Sequence, residues 1–200
     1  MEKKYKLLEN DTITVDGRAL YRIEAIKDFA DVRKGDKGGY VESEKNLSHE
    51  GEAWVYSKAK VYGEAEVFGN ATVYGYAKVF GNATVYGYAK VYGEARVYGE
   101  AEVYGEAMVY GKAKVCGKAE VRTDARISVT ADYYVGKNIW SSGRYFTYTR
   151  SNKMWRVGCF YGTGEELIKK AYQDSEVSGR EYERVVRYVE AMYADLEKDN

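Results

Sequence analysis

A single histidine stands in the 200-residue chain, His49 in LSHEGEAWV, and it is the first residue to weigh for chemistry. An imidazole serves as a general base near neutral pH when a carboxylate orients it, and Glu50 and Glu52 are the nearby carboxylates. Its polar, turn-like surroundings read more simply as a surface turn. Cys116 and Cys159 have no His or Lys beside them in sequence to activate a thiolate. Two cysteines also make neither a disulfide framework nor a zinc site. GCFYGTGEEL holds three glycines but lacks the GKS or GKT of a phosphate loop, so it reads as a strand end followed by a capped helix. KGDKGGYV offers a backbone nest for an anion, although turn chemistry accounts for it without one.

The more regular chemistry lies in the middle of the chain, and it depends on the elements that carry it. From Ala53 to about Ala131 a valine or isoleucine recurs every six residues without a slip, from Val55, Val61 and Val67 through to Val121 and Ile127. A strict period over thirteen units specifies a repeat architecture. Within each hexad, as in Ala-x-Val-Tyr-Gly-x, alternation sends Ala and Val to one side of a short strand and the variable residue and aromatic to the other. Gly and its successor make a corner. Three strands and three corners close a triangular coil, so valine lies on valine and alanine on alanine, and one self-stacking shape builds the core. Burying each valine contributes on the order of 1.5–3 kcal/mol.

The run AKVYGEARVYGEAEVYGEAMVYG, an aliphatic residue with a small residue two places before it, resembles the hexapeptide-repeat left-handed parallel β-helix. Tyrosine stands where that pattern often has Gly or a small acidic residue. The resemblance implies a mainly β protein of about four triangular coils. Residues 1–52 then form an N-terminal β cap, with strand-like pieces at Lys4–Leu8, Thr12–Val15 and Leu20–Ile26; residues 53–132 form the β-helix; residues 133–200 form a β-hairpin and two helices. The flanking segments are natural covers for the open strand edges of a coil. Thr163–Glu166 and Ser178–Glu181 each match a capping box, and Tyr182, Val185, Val186, Val189, Met192, Tyr193 and Leu196 share one helical stripe.

Sorting outward residues by coil gives three faces. Face one carries Lys60, Lys78, Arg96 and Lys114 beside Tyr62, Phe80, Tyr98 and Cys116. Face two carries Glu66, Thr84, Glu102 and Glu120 beside Phe68, Tyr86, Tyr104 and Arg122. Face three is mixed, with Thr72, Lys90, Met108 and Arg126 beside Tyr56, Tyr74, Tyr92 and Tyr110. Like charges one strand apart repel, so the basic and acidic columns call for a reason. Three readings stand. The columns are solvated products of duplication; or face one of one chain meets face two of the next in a ring; or the basic, aromatic column is a ligand surface suited to stacked bases and phosphates.

The resemblance bears on all three. Relatives of this fold are typically trimers, which favours a homotrimer with Glu66, Glu102 and Glu120 as the complementary interface. Its best-known enzymes use a histidine base at a subunit interface for acyl transfer, or three zinc-bound histidines for carbonic anhydrase activity. One histidine leaves an acyltransferase using His49 as the alternative to a non-catalytic chain, with no catalytic residue, metal or cofactor assigned. The block DFADVRKGDKGGYVESEKNLSHEGEAWVY, and the tail from MWRVGCFYG onward, are similar to bacterial and phage-encoded hexapeptide-repeat proteins of no established catalytic activity. That lineage implies an inhibitor of host defence that binds a defence protein or sequesters a nucleotide signal between subunits; a structural assembly module is the remaining alternative.

Charge balance, 31 basic against 31 acidic, disfavours extended nucleic acid as a partner. No stretch reaches the roughly 18 apolar residues of a membrane span, and MEKKYKLLEND has no signal-peptide core. These features and the lack of a disulfide framework place the expectation in the cytoplasm, the host's if the gene is viral.

Overall fold

The computed structural model describes residues 2–198 and divides into two compact units, Met1–Thr130 and Ala131–Asn200. In the first, β1 (Tyr5–Val15) and β2 (Arg18–Ala25) form an antiparallel hairpin. Asp16 and Gly17 at its tip have φ of 50° and 78°, the paired positive values of a turn that follows strand twist. β3 (Lys37–Val41) pairs antiparallel with β2 and parallel with Lys60–Val61, joining the hairpin to the repeat.

KGDKGGYV is therefore strand as well as turn. A Cβ on Gly38 would lie 2.5 Å from Val55 O, and one on Gly39 2.5 Å from Ala59 O. The glycine pair permits close backbone approach rather than forming an anion nest.

Thirteen two-residue strands follow, from β4 (Trp54–Val55) to β16 (Arg126–Ile127), and stack in parallel as a β-solenoid. Strand N–H groups donate to the carbonyls of the following turn, as from Lys60 to Ala77 O (2.9 Å) and from Tyr62 to Val79 O (3.1 Å). Every hexad Ala and Val from Ala53 to Val121 is fully buried. At the corners, Gly93 has φ of 72°, and a Cβ there would meet the backbone of Gly111 at 3.1 Å.

The solenoid has about five turns rather than about four. The added turn comes from the segment before the hexads: Val41 pairs with Val61, Leu47 bridges Val67, and Val55 pairs with Val73. Leu47 and Val55 are eight residues apart instead of six, and this two-residue excess hides the first turn from a six-residue period.

The second unit holds a four-stranded antiparallel sheet, β17 (Tyr133–Lys137), β18 (Tyr145–Thr149), β19 (Met154–Val157) and β20 (Phe160–Gly162), so the expected hairpin is half of a sheet. Helices α1 (Gly164–Asp174) and α2 (Glu176–Lys198) follow. Phe146, Trp155, Leu167, Val186 and Val189 lie in their shared core. Thr163 and Glu166 make the expected capping box. Ser178 does not cap: α2 begins at Glu176, and Ser175 Oγ accepts from Ser178 N–H at 3.1 Å, so the cap is Ser175. Tyr182, Val186, Val189 and Tyr193 are buried on the expected stripe, whereas Leu196 is exposed. No helix among the described residues is long and apolar enough to cross a membrane.

Candidate functional site

The strand register places the outward residues in the columns that the period predicts. On face one Lys60 lies beside Lys78, Lys78 beside Arg96, and Arg96 beside Lys114, each pair in parallel register. None of the four makes an ion pair among the described residues. Partial burial, followed by repulsion from Lys78 and Lys58, lowers the pKa of Lys60 below the usual lysine value. Tyr62, Phe80 and Tyr98 stack in parallel with centroids 5.1 and 5.0 Å apart.

The first turns of this face are not free surface. Tyr62 is buried with Leu20 and Tyr40, and Ile13, Val15 and Phe80 pack against that cluster. The Tyr62 hydroxyl donates to Asp16 at 3.1 Å. The β1–β2 hairpin thus covers Tyr62, leaving the exposed Arg96 and Lys114, with half-buried Lys78, Phe80 and Tyr98, as the open part of the column.

On face two Glu66 pairs with Thr84, and Glu102 lies between Thr84 and Glu120. Phe68, Tyr86 and Tyr104 stack at 4.8 Å. Tyr86 OH donates to Glu102 at 3.3 Å, and Tyr104 OH to Glu120 at 3.4 Å. Burial first, then the Glu102 charge, pushes the Tyr86 phenol up to about 12. The rings therefore supply hydrogen bonds to two carboxylates of the acidic column from within the chain, whereas on the basic column Lys60 Nζ donates to Lys58 O at 3.0 Å.

His49 is not the surface-turn residue its neighbours in sequence imply. Its ring stacks on Tyr5 at 4.2 Å, and Nδ1 accepts from the Lys4 backbone N–H at 3.3 Å. This leaves the proton on Nε2, which is buried and 3.6 Å from Glu44 Oε2, beyond a normal hydrogen bond. Glu44, not Glu50 or Glu52, is the carboxylate nearest Nε2. Burial lowers the histidine pKa, and the opposing pull of Glu44 does not cancel it. The ring also borders a hollow of about 430 Å³ with Glu44, Ser48, Glu66 and Phe68. Among the described residues no group of three His, Cys, Asp or Glu is disposed to hold a metal.

Two features carry no signal in the repeat. Lys4, buried, donates to Gly51 O (3.2 Å) and Ala53 O (2.8 Å), while Asn46 Nδ2 donates to Gly63 O (2.9 Å) and Ala65 O (2.8 Å). These side chains satisfy carbonyls that backbone N–H groups satisfy in later turns. A hollow of about 470 Å³ on face three is lined by Asp31, Tyr56, Ser57, Thr72, Tyr74 and Lys90. The one trace of it in the sequence is Ser57, standing at a corner where the hexads from Gly63 to Gly117 have glycine.

No protein-family model matches the chain, and no curated protein matches it by sequence.

Proposed function

We propose that the protein is a non-catalytic capture protein working as a ring of three chains, the basic column of each chain facing the glutamate column of the next. The observation that carries this reading is the in-register ladder of four cations without an ion pair among the described residues of its own chain. Stacked like charges destabilise a sheet unless something else uses them. Glu66, Glu102 and Glu120 rise along the adjacent face by the same coil repeat, so one set of spacings fits the other. Three prisms about a threefold axis use two faces each in this head-to-tail way and close without free ends.

On this reading the solenoid is left-handed, as its hexad pattern resembles, and contact falls on Lys78, Arg96 and Lys114 below the hairpin. Phe80 and Tyr98 at that boundary suit a planar, phosphate-bearing ligand, so capture of a nucleotide signal is the role we favour over capture of a host defence protein. Cys116 and Cys159, which form no disulfide, fit a reducing cytoplasm.

Native mass spectrometry of the wild type and of the double variant Lys78→Glu, Arg96→Glu tests the ring. The wild type is expected as a trimer and the variant as a monomer with unchanged circular dichroism, because reversal sets like charges face to face at a cost of several kcal/mol. A variant that keeps the wild-type mass sinks the reading.

A further inference from the structure

The aromatic column on face three is interrupted at one rung. Tyr74, Tyr92 and Tyr110 stack with centroids 4.8 and 5.2 Å apart, and the register of Val55 on Val73 puts Tyr56 next in line above Tyr74. Tyr56 does not take that place. Its hydroxyl donates to Asp31 Oδ1 at 2.6 Å, and among the described residues its ring does not stack on Tyr74. The other two columns stack without a break from their first ring, Tyr62 on Phe80 and Phe68 on Tyr86. In the first turn those columns carry Glu42 and Ser48 in place of a ring, so Tyr56 is the one aromatic residue at this level and it turns to Asp31 instead of extending its stack.

The hollow of about 470 Å³ opens at this rung, within the size range of small-molecule sites. Its lining mixes two aromatic rings with a carboxylate, two hydroxyls and an ammonium. Ser57 on its wall has φ of 56°, a left-handed conformation that costs a non-glycine residue on the order of 1 kcal/mol and that neighbouring corners meet with glycine. The non-glycine corner and the Tyr56–Asp31 hydrogen bond fall at the mouth of the same hollow.

We propose that this hollow binds a small planar heteroaromatic molecule bearing an anionic group, its ring stacked on Tyr74 at the rung that Tyr56 leaves open. Lys90, which pairs in register with Thr72, meets the anionic group; Asp31 accepts from the donor edge of the ring. A stacked ring with a charge-assisted contact at each end fixes both position and orientation. A purine mononucleotide has all three features. The inference rests on the reading of the chain as a capture protein but not on its assembly, since face three is outside the face-one to face-two contact.

Isothermal titration with adenosine monophosphate is the test, with adenosine and inorganic phosphate titrated separately. A saturable component of one mononucleotide per chain, separate from any on face one, is expected, weakened about tenfold or more by Tyr74→Leu and by Lys90→Gln. Adenosine should keep the dependence on Tyr74 and lose that on Lys90, and phosphate alone should bind more weakly than the mononucleotide. Both side chains point outward from the coil, and circular dichroism confirms folding of each variant. In the Lys78→Glu, Arg96→Glu background, which removes the face-one cations, the component that depends on Tyr74 and Lys90 should remain whatever the mass, so this test and that of the ring fail separately. The inference is overturned if, in the Lys78→Glu, Arg96→Glu background, the mononucleotide does not saturate in the low-millimolar range, or if binding there survives both face-three substitutions.

Discussion

Lys4 keeps its ammonium inside the protein with carbonyl oxygens as partners and the Phe29 ring 5.1 Å away. Burial, with repulsion from Lys27 added and Glu52 opposing, brings its pKa down to about 8. The unfolded chain holds that proton to near 10.5, so between these values the folded state binds fewer protons and stability rises with pH. Above pH 10 the tyrosines act the other way, since burial raises the Tyr5 phenol and pushes that of Tyr62 up to about 12. Urea unfolding at pH 7.5 and 9.5 should show the wild type gaining stability over this interval and Lys4→Met gaining less. Equal gains would mean that the ammonium is not desolvated. Nothing in the local sequence marks Lys4 as buried, because its acceptors lie 47 and 49 residues away. The setting of His49 is hidden from its local sequence for the same reason: the ring it stacks on belongs to Tyr5.

At the scale of elements, legibility followed periodicity. Each hexad repeats the same backbone problem, so pattern, corner glycine and register agree, and the columns of face one and face two could be written from the sequence. The first turn could not, because the spacing from Leu47 to Val55 departs from six and a side chain, Asn46, substitutes for ladder donors. Asn46→Ala removes the donors to Gly63 O and Ala65 O and should destabilise the first unit by about 1–3 kcal/mol, read by chemical denaturation. A change within error would show that those carbonyls find other donors. The hollow on face three was illegible for a related reason: Asp31, 25 residues before Tyr56, holds that ring's hydroxyl away from its column.

For the molecule as a whole, the basic column makes two opposite demands, and one substitution separates them. Within a single chain Lys78 sits between Lys60 and Arg96, so Lys78→Glu turns two like-charge neighbours into two attractive ones, each worth about 0.2–1 kcal/mol. The isolated coil should therefore melt higher. Between chains the same change sets a carboxylate against the glutamate face, so a ring should weaken and its melting temperature should lose its dependence on protein concentration. If the columns are only solvated relics of duplication, the variant melts higher with its mass unchanged. If they are an interface, mass falls at low protein concentration while the dissociated chain is the more stable one. Half-molar salt should shrink both effects, because the screening length then falls below the spacing that lets exposed columns act on one another.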